Sequence, residues 1–499
     1  VKRNFVIISI VLTVVTLALY WQVSGHAFIN LDDQAYLYEN PHVIEGLSKS
    51  SVIWAFTSVD YFYWQPVTWL SHMLDVELYG MNPGGHHLSS VFIHIGSTIL
   101  LLFFLFRVTG LLWQSAFVAA LFALHPMHVE SVAWAAERKD VLSTFFGFLT
   151  LIFYVEYKII SPISVTKRRT LLYLLSLFCF ILGLMSKPML VPLPLIMLFI
   201  DYWMFSAPRL PSSAGTMHVY LVDKIPFFVL SVASSIITIY GQSNAGAMPT
   251  TDTLSLALRV ENAITSYAKY ITKTFYPRDL AVYYPMPASF SLWQVACSLF
   301  VLAVISAAVI NIRHKYRYLP VGWFWFLIYI FPVIGLTQAG YQSMADRFSY
   351  VPHVGLFIML AWGATDVTKR MRRQNMILVL LAAVVVIMSA AMTRRQLAVW
   401  KNSIVLFEHA LKITENNWMA LNNLGKAYLD AGRIDDALWC FNESVKAKPS
   451  YVVALVNLGA MLAVKNRPDE AAEVLNRALQ IEPQNEKALL LLGNLPLKR

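Results

Sequence analysis

Apolar stretches of about 20 residues recur along this chain, and no other feature narrows its fold as sharply. They lie near 5–23, 87–106, 111–129, 140–157, 170–186, 188–205, 225–241, 290–310, 320–337, 349–366 and 375–393. Each is long enough to cross a hydrocarbon core as a helix, the one open-ended element that satisfies its own backbone there. Charged residues make up only 14% of the chain, against about 25% in soluble domains. An all-α polytopic membrane protein with about eleven spans is expected.

The formal net charge of +10 does not imply a nucleic-acid partner. Its basic residues gather in short loops, "TKRRT" (166–170), "NIRHKYR" (311–317) and "TKRMRRQ" (368–374), as cytoplasmic loops of membrane proteins do. Placing those loops inside puts the N-terminus inside as well. Residues 24–86, 130–139, 242–289, 338–348 and everything after 394 then lie outside. Lys2 and Arg3 before the run Phe5–Tyr20, with small residues at 24–27, fit either a cleaved signal or an uncleaved anchor. The many following spans favour the anchor. Residues 258–276 read as a helix but carry Arg259, Glu261, Lys269 and Lys273. A re-entrant or interfacial helix on the outer face is expected there. Cys179, Cys297 and Cys440 lie too far apart for a disulfide framework or a thiolate metal site.

The chain changes character after Arg395. "WMALNNLGKAYLDAGRIDDALWCFNESVKAKPS" follows the 34-residue tetratricopeptide pattern, with Leu424, Gly425, Tyr428, Ala437, Phe441 and Pro449 at its signature positions. Leu458, Gly459, Leu462, Ala471, Leu475 and Pro483 repeat them one period on. A membrane domain over 1–394 is therefore expected, followed by repeats over 395–499. The repeats divide into a half at 402–417, full units at 418–451 and 452–485, and a partial unit at 486–499. Such arrays bind extended peptides or partner proteins, and one this short is also suited to docking on the membrane domain.

Candidate chemistry collects on the outer face. Asp32 and Asp33 follow the first span directly, among Phe28, Tyr36, Tyr38 and the "YFYW" of 61–64. A paired acid in a loop is commonly a turn or a cap, but here its depth is set by the bilayer and other polar groups share the face. "HPMHVESVAWAAERKD" (125–140) holds His125, His128, Glu130, Glu137, Arg138, Lys139 and Asp140 between two spans, and polar clusters at membrane depth are candidate functional sites. The two histidines fit a metal less well than hydrogen bonding at a span end, because Pro126 interrupts the helix between them. Arg138, Lys139, Lys187, Arg259 and Arg347 are outer-face cations that the positive-inside bias would otherwise remove. Snorkelling toward headgroups explains any one of them. Together they suggest an anion such as a lipid phosphate, which arginine grips with two parallel bonds.

At this point a family resemblance becomes specific. "LDDQAYLYENPHV", "QPVTWLSHMLDVELYG", "NPGGHH", "HPMHVESVAWAAERKDVLS", "SKPMLVPLPLIMLFIDYW" and "ADRFSYVP" resemble the transmembrane and tetratricopeptide repeat-containing family of GT-C glycosyltransferases. Gln65 stands where animal members tend to carry Arg. The resemblance implies a GT-C membrane domain and an inverting transfer of sugar from a polyprenyl phosphate to a hydroxyl, on a protein or a surface glycan. It implies that Asp32 is the general base, and that Asp33 either orients the acceptor or holds a divalent metal (Mg or Mn) with Asp32. Arg138, Arg259 and Arg347, backed by Lys187, would meet the donor phosphate. Glu130, His125, His128, Asp140 and Tyr350 would line the acceptor side. The setting it suggests is a bacterial inner membrane. A non-catalytic repeat scaffold and a flippase or polymerase component for lipid-linked glycans are the competing readings.

Overall fold

A computed structural model describes residues 2–59, 63–160, 167–204, 221–244, 254–336 and 340–496. Tyr61 and Phe62 of the aromatic run, loop residues 245–253 and 338–339, and the end of the partial repeat fall outside them. The described chain is helical apart from one short antiparallel pairing, Tyr284–Pro285 with Gln342–Met344.

Every expected apolar stretch contains a helix, yet among the described residues six are long and apolar enough to cross a membrane alone: Lys2–Gly25, Pro83–Thr109, Ala135–Ile159, Ile225–Ser243, Leu292–Ile312 and Gln374–Val399. A seventh arises if Leu112–Leu124 and Pro126–Ala133, which meet at 54°, form one broken span. At four of the other five stretches the difference has a local cause. Pro126, Pro188, Pro332 and Pro352 sit at the breaks, where proline removes a helix donor and clashes with the turn before it. Short helices and single 3₁₀ turns result, and those at Val129–Ala133, Pro188–Leu190 and Asp346–Ser349 carry or adjoin the polar cluster described below.

Burial ranks the long helices. Pro83–Thr109 and Ala135–Ile159 pack against each other at the centre of the bundle. Leu292–Ile312 and Gln374–Val399 are apolar all round and almost unburied, as lipid-facing helices are. The helix Leu256–Phe275 forms where a re-entrant or interfacial one was expected. It buries Asn262, Ser266 and Tyr270 and exposes Leu256, Val260 and Phe275. Its Asn262 donates to the Ser343 carbonyl at 2.9 Å.

Beyond Val399 the helices Ser403–Ile413, Trp418–Asp430, Ile434–Ala447, Val452–Val464, Pro468–Ile481 and Glu486–Gly493 stack in sequence. The period of 34 places equivalent contacts in successive repeats: a Cβ on Gly425 would stand 2.7 Å from the Phe441 ring, and one on Gly459 2.7 Å from Leu475. The array docks on the end of the bundle that carries Asp32. Ala27 N–H donates to the Lys401 carbonyl at 3.0 Å, and Asn30 contacts both Ser403 and the Asn423 carbonyl. A second contact runs from Asn417 to the Tyr283 carbonyl at 3.1 Å, beside His409 on Leu280.

Candidate active site

The two adjacent acids differ completely in surroundings. They lie in the turn between the 3₁₀ segment Trp21–Gly25 and a π-helical turn, Gln34–Tyr38. Asp33 is buried, and its two oxygens accept the backbone N–H groups of Ile29 at 2.7 Å and Ala136 at 2.8 Å. It ties the loop to the 3₁₀ turn Ala135–Glu137. Burial pushes its carboxyl up to about 7; the two N–H bonds oppose that rise and the Asp32 charge adds to it. Asp32 is half-buried, and among the described residues no hydrogen bond or ion pair reaches its carboxylate. Its carboxyl is raised above the ordinary range by burial, against the pull of Lys139 nearby.

Around Asp32 lies a network of buried charges. Glu137 pairs with Lys139 at 3.3 Å, Lys187 at 2.9 Å and Arg347 at 3.4 Å. Lys187 also meets Asp140 at 2.7 Å, and Ser131 donates to that carboxylate at 3.1 Å. Arg347 pairs with Glu130, whose other oxygen accepts the Arg347 backbone N–H at 3.1 Å. Lys139 stands 4.3 Å over the Tyr36 ring, and Arg347 lies against Trp134. Buried charges of this kind persist only when paired. The Arg347 side chain is 15% exposed, whereas those of Lys187 and Lys139 are 7% and 4%. Arg347 is thus the cation of the cluster best placed to meet a bound anion.

The structure brings Asp32, Lys187, Arg347, Glu130 and Asp140 together and sets the other candidates apart. Arg138 is buried away from the network, with Nε on Ser90 (2.8 Å), Nη1 on Ser71 (2.9 Å) and Nη2 on Asp75 (2.6 Å) and the His86 carbonyl. That leaves it little to offer a phosphate. Arg259 sits on the first turn of Leu256–Phe275, about 16 Å along the helix from Tyr270, which contacts Ala345 next to the cluster. His125, His128 and Tyr350 belong to an inner layer: Tyr350 bonds His94 at 2.6 Å, and His128 bonds the Phe122 carbonyl and His353. A divalent metal shared by Asp32 and Asp33 lacks further ligands: among the described residues neither acid belongs to a group of three His, Cys, Asp or Glu side chains whose ligating atoms lie within 4.8 Å of one another.

Sequence reasoning gave Glu137 no role of its own and counted Lys139 among the outer-face cations without assigning it to the donor phosphate, although "ERKD" contains both. Neighbours in a turn point about 100° apart, so which cation faces the cluster is settled by packing. Asp75, the partner of Arg138, carried no signal beyond lying in "SHMLD".

These features define a class: an integral membrane protein of helical type, with acids and cations converging under a tetratricopeptide array. Residues 422–486 match the tetratricopeptide repeat family model. Over 402 residues the chain is 23% identical to protein O-mannosyl-transferase F38B6.6 of Caenorhabditis elegans, covering 78% of this chain and 54% of that one. Human protein O-mannosyl-transferase TMTC3 is 22% identical over 437 residues, 77% of this chain and 45% of the relative. The chain therefore spans about half the length of the curated relatives it matches. Among solved structures, the Archaeoglobus fulgidus oligosaccharyltransferase aligns with 87% of this chain and 59% of its own, at 11% identity and a TM-score of 0.40. The resemblance drawn from the motifs is thus upheld: the relatives are proteins named as O-mannosyl-transferases.

Proposed function

We propose that this chain is a membrane glycosyltransferase of GT-C type that moves a sugar, with inversion, from a polyprenyl phosphate to a hydroxyl acceptor on the outer face. The observation that carries this reading is the Asp32 carboxylate, unpartnered among the described residues, in the field of Lys139 and Arg347. In the transfer, Asp32 takes the acceptor hydroxyl proton as the oxygen attacks the anomeric carbon. The bond from that carbon to the phosphate oxygen breaks, and Arg347, with Lys139 and Lys187 behind it, stabilises the departing charge. Asp33 holds the loop and takes no proton. Glu130 and Asp140 keep Arg347 and Lys187 in position. Arg138 braces the chain at Glu137 and Lys139, and Arg259 is left without a part in the transfer. The names of the relatives favour mannose and a protein acceptor. The docked array is suited to presenting an extended acceptor segment, and a bacterial inner membrane with the site on its periplasmic side is the setting that fits.

The test is transfer from polyprenyl-phosphate mannose to a Ser/Thr peptide by the purified chain, together with glycan profiles of cells making wild type or Asp32→Asn at matched levels. Loss of one defined product in both supports the enzyme. A glycan that depends on the gene but not on Asp32 favours a scaffold, with the acid pair serving as a turn.

A further inference from the structure

Among the described residues, two groups of three side chains hold metal-ligating atoms within 4.8 Å of one another: His125, His128 and His353, and His72, Asp75 and His86. Hydrogen bonding separates them. In the first group every ring nitrogen is engaged. His125 meets the Thr274 carbonyl and the Met127 N–H, His128 meets the Phe122 carbonyl and His353, and His353 meets the Thr274 hydroxyl. That group is closed on itself.

The second is open. His72 and His86 are fully buried, and among the described residues neither ring nitrogen of His72 has a hydrogen-bond partner, nor does Nδ1 of His86. The other nitrogen of His86 lies 3.0 Å from the Gly80 carbonyl, which can only accept. Nε2 therefore carries a proton, and Nδ1 lies 3.5 Å from Asp75 Oδ2 without a hydrogen bond to it. This open contact lies beside an imidazole that has no hydrogen-bond partner among the described residues. Unsatisfied buried groups are rare enough to need a cause.

We propose that His72, Asp75 and His86 bind a divalent transition-metal ion of the zinc type, joining the Pro66–Tyr79 helix to the first turn of Pro83–Thr109. The ligands are two neutral imidazoles and a carboxylate, a set zinc accepts. Support around them is already built: Gly80 orients His86, Ser89 donates to Asp75 Oδ1 at 2.7 Å, and Arg138 donates to Oδ2 at 2.6 Å. Tetrahedral zinc draws its donors to about 3.4 Å apart, so the rings close inward on binding. Arg138 repels a second cation, which makes the ion removable by chelators. The ion pins the segment that holds Arg138, and so lies outside the transfer chemistry itself.

The test uses the full-length chain in detergent, stripped with chelator, loaded with Zn²⁺ or Co²⁺ and dialysed. Stoichiometric zinc by mass spectrometry and a visible Co²⁺ band that zinc displaces are expected from wild type. The ion should be lost from His72→Gln and His86→Gln and kept by His353→Gln. A wild type that takes up neither metal overturns the proposal without any variant. Zinc lost from His353→Gln but kept by His72→Gln and His86→Gln overturns the assignment equally.

Discussion

At the scale of single residues, two carboxylates side by side are made unlike by what their oxygens touch. Asp33 spends both on backbone N–H groups. Asparagine there can accept one of those bonds but not the second, leaving a buried donor unpaired at about 1–3 kcal/mol. Asp33→Asn is therefore expected to lower thermal stability, read by melting in detergent. Asp32→Asn should leave melting unchanged while transfer falls by about 10²–10⁴, the usual contribution of a positioned base. The raised Asp32 carboxyl fixes the sign of the pH dependence. The working form is ionised, so activity is lost as pH falls through that raised value. The acid limb of kcat/KM should lie above pH ~4, where an ordinary aspartate titrates. A limb at or below that pH, in a protein that stays folded, would remove Asp32 as the base.

At the scale of elements, periodic signals were legible and directional ones were not. The apolar runs and the 34-residue repeat report burial and contact at every turn, so helices appear where "LLFFLFRV" or "LNNLGKAYL" predicts them. Prolines marked the breaks, but not that broken helices would gather around the charges. Arg138 and Lys139 are adjacent cations in sequence. Only the placement of Asp75, 63 residues earlier, turns one away from the cluster and leaves the other beside Tyr36. The choice between Asp32 and Asp33 likewise depended on Ala136, which no local pattern reveals. Where the repeat signal is strong, its energetic consequence can be stated. Phe441 is buried against Gly425, so the Cβ of Gly425→Ala meets a ring that has no room to retreat. Overpacking of this kind costs about 1–3 kcal/mol. Hydrogen exchange in Trp418–Asp430 and Ile434–Ala447 should quicken in that variant while the membrane helices keep their protection.

At the scale of the whole molecule, the acid-bearing loop is held from two sides. Asp33 anchors it to the bundle through Ala136, while Ala27 and Asn30 anchor it to Lys401, Ser403 and Asn423 of the array. The array is therefore part of what positions Asp32, in addition to any acceptor it holds. Topology follows from the same contacts: cysteines placed at the exposed Lys49 and Glu482 should label from the same side of the membrane. The two roles of the array separate by choice of acceptor. If it served only to recruit a protein, a chain cut after Val399 would still glycosylate a small alcohol that needs no recruitment. If it also braces the loop, the cut removes the bonds to Lys401, Ser403 and Asn423 together, and transfer to the small alcohol falls with transfer to protein. The bonds favour the second outcome. Asn30→Ala, which removes the side-chain bond to Asn423 and leaves the array in place, should lower kcat for both acceptors alike. Equal loss marks bracing of the base, whereas loss confined to protein would assign the array to recruitment alone.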